Sequence, residues 1–328
     1  MSGNNIMIKS TGAYLPVKIL SNKDLEKIVD TSDEWITTRT GIKTRRVAAE
    51  HEATSDMAYE AAKIALKRAN MDPEEVELII VATITPDMFF PSTGCFVQDR
   101  LGAKNAVAMD VNAACSGYIY SLVIACKFLG TGSYKNAVII GAEKLTSITN
   151  WEDRNTCVLF GDGAGASVLI PSNGESKLLA FDMGTDGSYG EELFMPGGGS
   201  RNPASIETVE NKLHSIRMNG NTIFKVAVNK MKKTFTNSMG NAGITTEDIS
   251  LLIPHQANLR IIESLRKSLH LPKEKVHVNI DKYGNTSAAS IAIGLNEVYE
   301  EGLIKRGDII GFVAFGGGLT WGSAIIQF

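Results

Sequence analysis

Cysteine is scarce in this 328-residue chain, and the four present form no CxxC pair. Cys95, Cys115, Cys126 and Cys157 are widely spaced, which argues against a disulfide framework. The five histidines show no metal-ligand spacing, so no metal site is expected. The opening residues, MSGNNIMIKS, have no apolar core of an export signal. Apolar runs such as Leu78–Ala82 are far too short to cross a bilayer. Together these absences lead to the expectation of a cytoplasmic protein with reduced thiols and no membrane association. Strong charge of one sign is missing too. A net charge of −3 gives no reason to expect bulk nucleic-acid binding and leaves room only for local basic patches.

What is present is apolar and periodic. Hydrophobic residues make up 44% of the chain, enough for a large core, and the length fits about two domains. Residues 76–83 (VELIIVAT) are apolar on both faces, the mark of a strand in the middle of a covered sheet. Strands of similar character are expected at 7–14, 106–111, 137–142, 249–253, 276–280 and 309–315, and a glycine-rich one at 160–170. Helical spacing marks 23–29, 54–69, 92–101, 221–239, 258–269 and 286–300. Residues 184–204 are rich in Gly, Ser and Asn and read as a loop between halves.

The organising stretch is DVNAACSGYIYSL, residues 110–122. Small residues end a strand, and a helix starts at Ser116 with Ile119, Leu122, Val123, Cys126 and Leu129 at three- and four-residue spacing. Cys115 therefore sits in a tight turn at a helix N-terminus. Free N–H groups and the helix dipole there favour a thiolate. The plain alternative is a small buried hydrophobe.

A weak internal repeat runs through the chain. MDPEEVELIIVAT, DVNAACSG and KNAVIIGAEKL find counterparts in ITTEDISLLIPHQ, NIDKYGNTSAAS and GDIIGFVAFGGG. Val76 matches Ile249, and Cys115 falls close to Asn285. Two similar α/β halves would aim Cys115 and Asn285 at one crevice, and His255 follows another buried strand. Alone, His255 reads as a satisfied structural residue and Asn285 as a cap or turn residue. With Cys115 they form a nucleophile and two donors suited to a developing enolate oxygen. Gly316, Gly317 and Gly318 allow the close backbone approach that an oxyanion hole needs.

Two stretches stay open on the residues alone. Residues 30–46 (DTSDEWITTRTGIKTRR) read either as a charged loop or as an aromatic face with cations for a nucleotide carrying phosphates. FGDGAGA is a phosphate cradle or a structural turn, and it lacks the Lys-Ser/Thr of a P-loop.

DVNAACSG, HQAN, GNTSAAS, FGDGAGA and AFGGGLTWG together resemble the thiolase superfamily, and within it the β-ketoacyl-ACP synthase III family, over essentially the whole chain. TSDEWITTRTGI points to that branch rather than to the elongating synthases, which resemble Cys-His-His enzymes. The resemblance implies an α/β, thiolase-like αβαβα layered fold. Its two similar halves, 1–175 and 176–328, would each hold a mostly parallel or mixed five-stranded sheet. It implies an acyltransferase. Cys115 would take an acetyl or other short acyl group from acyl-CoA; malonyl-ACP would lose CO2 and attack it, giving a 3-ketoacyl-ACP. His255 and Asn285 would hold the enolate oxygen, and the N–H groups of Cys115 and Gly317 would form the oxyanion hole.

By the same resemblance Thr31, Trp35, Arg39 and Arg154 would hold CoA, with Asn155 standing where the family often has glycine. Gly220, Phe224, Ala257 and Asn258 would line the pantetheine tunnel. Lys225, Arg260 and Lys267 would meet the acidic carrier protein, extended by Arg217, Lys232 and Lys233, for which a solvated helix face is the alternative. Phe90 would reach across a homodimer to wall the partner's acyl pocket. No cofactor is implied beyond the two thioester substrates. Two other functions remain in view: a related condensing enzyme of a polyketide or other specialised pathway, and a non-catalytic partner subunit.

Overall fold

A computed structural model describes residues 5–328; the reading of the N-terminal leader rests partly on residues 1–4, which lie outside that range. The strand Leu78–Ala82 is buried at every position, as its two-faced apolar sequence requires. It sits inside a five-stranded sheet ordered Ile6–Tyr14, Gly163–Pro171, Ala137–Glu143, Leu78–Ala82, Val107–Val111. The last three are parallel; the first two run antiparallel to their neighbours. The second sheet is ordered Lys177–Thr185, Thr320–Gln327, Ile309–Gly316, Leu251–Pro254, with only the last pair parallel. Strand for strand it repeats the first, except at one edge. There the expected fifth strand, at 276–280, is reduced to a single parallel bridge between Val276 and Leu252.

Five layers result. Helices Gly117–Gly130 and Ala289–Glu300 lie between the sheets. Ile119, Leu122, Ile291 and Leu295 pack there against Ile80 and Ile139 of one sheet and Ile253 and Phe312 of the other. A helix enclosed by two sheets must be apolar nearly all round, and both sequences are. Helices Thr54–Ala69 and Thr93–Leu101 cover the outer face of the first sheet; Gly220–Ala242 and Leu259–Ser268 cover the second. Glycine allows the tight central stacking: a Cβ on Gly141 would lie 2.2 Å from the Ala288 carbonyl oxygen, and one on Gly117 would lie 2.9 Å from the Ala82 Cβ. Among the described residues no helix is long and apolar enough to cross a membrane.

The two inner helices fix the register of the repeat. Ala114 and Ser287 both adopt φ of +46°, a left-handed conformation unusual for either side chain. Each precedes its inner helix by two or three residues. Ala114 thus corresponds to Ser287, Cys115 to Ala288, and Asn112 to Asn285. Cys115 and Asn285 lie in corresponding corners, three places out of register.

Local departures from expectation have local causes. Residues 30–46 are not a loop but carry helix Asp33–Thr40 and strand Thr44–Val47. The Ser32 hydroxyl accepts from the Trp35 N–H to cap the helix, acidic residues fill its first turn, and Gly41 ends it at φ 81°. The helix expected at 23–29 shortens to Asn22–Leu25. The 184–204 loop contains a short strand, Leu193–Phe194, paired with Arg217–Met218.

Candidate active site

A cavity of about 610 Å³ reaches from exposed residues, including Arg39, Lys225 and Arg260, down to buried Cys115, His255 and Asn285. The three expected chemical residues thus meet at one buried end, delivered by separate corners of both sheets.

Cys115 lies in the single 3-10 turn Ala114–Ser116 that runs straight into the inner helix. The second sheet comes up against it: a Cβ on Gly316 would sit 2.6 Å from the Cys115 nitrogen. Thr320 Oγ1 donates to the Ala113 carbonyl at 2.8 Å and ties the same turn to the strand beyond. Against the helix start, which favours a thiolate, burial pushes the thiol up to about 12. Gly317 lies beside Ala114 rather than on the cavity wall.

His255 follows strand Leu251–Pro254, and its N–H donates to the Val313 carbonyl at 2.8 Å. Burial pulls the imidazole down to about 3, so the ring is neutral. Its Nδ1 lies 2.7 Å from Ser290 Oγ, which also accepts from the Gln256 N–H at 3.4 Å. With the Ser290 hydroxyl donating to Nδ1, the neutral ring carries its proton on Nε2 and can donate from there.

Asn285 spends its side-chain oxygen locally, accepting from the Ser287 N–H at 2.8 Å. Its NH2 group is left to donate. The backbone is held from the other half of the chain: Asn285 N–H donates to Leu159 O at 2.9 Å, Gly161 N–H donates to Asn285 O at 3.0 Å, and Phe160 makes a parallel bridge to it. This is what FGDGAGA does here. Its Asp162 accepts from Ala48 N–H, Thr146 N–H and the Thr146 hydroxyl, and residues from Gly163 enter the first sheet.

The outer residues are also brought together. The Arg154 guanidinium lies 4.4 Å over the Trp35 ring, and that of Arg39 lies 5.0 Å from it. Arg154 is steered there by Asp30, through the carbonyl at 3.0 Å and the carboxylate at 3.6 Å. The Thr31 hydroxyl is buried without a partner. Gly220 and Phe224 start one outer helix, and Asn258 caps the other, its Oδ1 accepting from Arg260 N–H while its NH2 donates to Arg39 O. Ala257 lines the cavity beside Asn258. Arg260 lies 5.5 Å over the Phe224 ring. Thr31, Arg154, Lys267 and Phe90 do not line the cavity, and Phe90 is 83% exposed.

Four functional-looking residues escaped the sequence reading: Ser287 and Ser290 beside Asn285 and His255, and the buried carboxyls Glu143 and Glu297. The serines look like ordinary helix-start residues in TSAAS. Glu143 carried a visible signal, a carboxylate ending the otherwise apolar strand AVIIGAE.

The chain matches the family models described as 3-oxoacyl-[acyl-carrier-protein] synthase III over residues 109–187 and its C-terminal counterpart over 239–328. A relative named β-ketoacyl-[acyl-carrier-protein] synthase III, from Caldanaerobacter subterraneus subsp. tengcongensis, is 59% identical over 98% of this chain and 97% of its own. The solved 3-oxoacyl-[acyl-carrier-protein] synthase III of Aquifex aeolicus superposes with a TM-score of 0.92 at 53% identity, covering 99% of this chain and all of that one. The priming β-ketosynthase of the R1128 polyketide pathway superposes at 0.91 with 32% identity, over 98% of this chain and 96% of its own. On this identity across nearly its whole length, the chain belongs to the β-ketoacyl-[acyl-carrier-protein] synthase III family.

Proposed function

We propose that this protein starts fatty-acid synthesis by condensing a short acyl-CoA with malonyl-ACP through an acyl-Cys115 intermediate, releasing CO2 and CoA. The observation that carries the reading is the meeting of Cys115, neutral His255 and Asn285 at the buried end of one cavity. Decarboxylation turns the malonyl thioester into an enolate, and its negative oxygen needs donors that carry no competing charge. His255 Nε2–H and Asn285 Nδ2–H supply them, each worth roughly 3 kcal/mol in barrier. The Cys115 N–H serves the oxyanion of the acyl-transfer steps, and Gly317, which lies off the cavity wall beside Ala114, is expected to turn its N–H to the same oxygen once substrate is bound.

Trp35, Arg39, Arg154 and Thr31 form the site for the adenine and phosphates of CoA, and Gly220, Phe224, Ala257 and Asn258 the pantetheine passage. Lys225, Lys232 and Lys233 on one outer helix, with Arg260 and Lys267 on the other, give an exposed basic face around the opening that suits an acidic carrier protein. Arg217 extends it. A second copy of the chain is the expected partner of the exposed Met88, Phe89 and Phe90 and of the half-exposed edge strand Val107–Val111. In that homodimer Phe90 walls the partner's acyl pocket and favours short primers. The enzyme works in the cytoplasm with no cofactor beyond its two substrates.

Intact-protein mass spectrometry after mixing with acetyl-CoA is expected to show one acetyl group on Cys115, and added malonyl-ACP then to give CO2 and 3-ketoacyl-ACP. An unmodified Cys115 peptide, or full activity in Cys115→Ala, would overturn the reading. The polyketide alternative is disfavoured by 59% against 32% identity; a preference for malonyl-CoA or another extender over malonyl-ACP would restore it. Better priming by straight long-chain acyl-CoA would remove the Phe90 assignment.

A further inference from the structure

Strand Thr44–Val47 and its flanks are bonded to both segments that frame Asn285. On one side Lys43 N–H donates to Asp281 O at 3.0 Å and Thr44 Oγ1 to Lys282 O at 2.7 Å. On the other, Asp162 N–H donates to Arg46 O at 2.9 Å and Ala48 N–H to Asp162 Oδ2 at 2.8 Å. Arg45, within this strand, is completely buried. Its stem lies against the donor's corner. A Cβ on Gly284, just before Asn285, would come 3.3 Å from the Arg45 Cβ. One on Gly161, whose N–H donates to Asn285 O, would come 3.1 Å from it. The head of Arg45 ties other segments together. Nη2 donates to Val158 O at 2.9 Å, and Nη1 to Leu20 O at 3.2 Å. Both nitrogens donate to Asn22 Oδ1 at 2.9 Å. The Asn22 NH2 in turn donates to Asp33 Oδ1 at 2.7 Å and Ile42 O at 2.8 Å, at the start of the helix that carries Trp35 and Arg39 and just beyond its end.

For stability alone this is a poor use of the site. Among the described residues no carboxylate pairs with Arg45. Its Nε is buried without a partner, and burial pulls the guanidinium down to about 10. A buried charge without its opposite is expensive, and well-packed apolar side chains often replace buried ions with no loss of stability. What a guanidinium gives that an apolar chain does not is a rigid planar fork, which fixes several acceptors relative to one another. Here the acceptors lie at 20–22 and at 158, far apart in sequence. Val158, Leu159 and Phe160 all line the cavity, and Leu159 O accepts the Asn285 N–H at 2.9 Å.

We infer that Arg45 is a positioning residue for the condensation step: its fork and stem hold segment 158–161 against Gly284, and with them the Asn285 side chain in the place that the enolate oxygen needs. This rests on the role of Asn285 proposed above. Arg45 does not line the cavity and touches no reacting atom. It acts through the backbone bonds that Leu159 and Gly161 make to Asn285 and through the two glycines packed on its stem. The Cys115 turn is held by other groups, Gly316 and the Thr320 hydroxyl. The effect of Arg45 on rate therefore falls on condensation rather than on acylation. Because Asn22 joins the fork to the helix of Trp35 and Arg39, acylation is compared at saturating acetyl-CoA.

The test measures the two half-reactions separately in the full-length enzyme and its Arg45→Lys and Arg45→Met variants. Acylation is read as acyl-protein mass in a single turnover, and condensation as CO2 release from malonyl-ACP by fully acylated enzyme. Arg45→Lys keeps the charge but puts one nitrogen where the fork uses two. It is expected to lower kcat for CO2 release by about 10- to 100-fold, the scale of loss when a catalytic group is slightly misplaced. The KM for malonyl-ACP and the acylation rate are expected to stay near wild type. Arg45→Met, which removes charge and fork together, is expected to show the same split, and either variant carries the reading if the other does not fold. Equal losses in both half-reactions, the result of a merely structural role, would overturn the inference. So would wild-type CO2 release in Arg45→Lys, or failure of both variants to fold, which would assign Arg45 to the fold alone. Asn285→Ala separates this inference from the reading beneath it. Wild-type CO2 release in Asn285→Ala removes the role of Asn285 itself, whereas a slow Asn285→Ala beside an unimpaired Arg45→Lys removes only the positioning.

Discussion

The two halves of the chain build the same corner and use it differently. In the first, a full edge strand, Val107–Val111, leads through left-handed Ala114 to Cys115. In the second, the matching strand shrinks to the Val276 bridge, and left-handed Ser287 leads to Ala288 where the first half has Cys115. The second corner uses instead the asparagine that both halves possess. Asn112 has its counterpart in Asn285, and only Asn285 reaches the cavity. Under the proposed function, a duplicated corner thus supplies a nucleophile from one copy and a donor from the other.

The shortened strand also changes how the donor is held. Segment 277–283 has lost its sheet neighbour and is gathered by Glu297 on the inner helix. That carboxylate accepts from His277 Nε2 at 3.1 Å, Asn279 Nδ2 at 2.6 Å and the Tyr283 hydroxyl at 2.8 Å. Side-chain hydrogen bonds from the second half, and backbone bonds from segment 159–161 of the first, replace the missing ladder.

The sharpest way to break this comparison is Asn285→Ala. It should slow condensation roughly 10²- to 10³-fold, the usual effect of removing one oxyanion donor, and spare acylation of Cys115. Loss of acylation alone would show that the halves do not divide the chemistry this way. Next comes the substitute scaffold. Glu297→Gln should destabilise the protein by about 3 kcal/mol in urea unfolding, since a carboxylate accepting three hydrogen bonds is replaced by a neutral amide. Hydrogen bonds from His277, Asn279 and Tyr283 overcome burial and hold this carboxyl down at about 2. Its stabilisation is complete above the ordinary carboxylate range and is lost as pH falls toward about 2, and the variant's stability should lose that dependence. The smallest effect expected is Ser290→Ala, about a tenfold loss in condensation as the imidazole is freed to take the other tautomer. An unchanged pre-acylated rate of CO2 release would remove Ser290 from the site.

The parts legible in the sequence were those that repeat. Periodicity located the buried strands and both inner helices, because residues enclosed on all sides leave long apolar signatures. The Cys115 corner was legible from small residues leading into a helix. Helix Asp33–Thr40 was not, because its apolar residues are few and follow no single stripe, and its caps do the work that packing does elsewhere. Strand Lys177–Thr185 was missed at the seam between halves, where it follows a polar turn. The burial of Cys115 was not legible for another reason. A helix start is visible in sequence, whereas Gly316, which comes up against the Cys115 nitrogen, is two hundred positions away in the chain and only ångströms away in space. Glu143, Ser287 and Ser290 share that difficulty: each means little until its neighbour is known.

The backbone bonds between Asn285 and residues 159–161 have a consequence for how the protein is assembled. Neither half can complete the cavity alone, because the donor's position is written partly into the other half's chain. Catalytic competence therefore depends on the docking of the halves. Under mild denaturant it should be surrendered first, so enzymatic activity reports the closing of this seam while circular dichroism reports only the sheets and helices on either side of it.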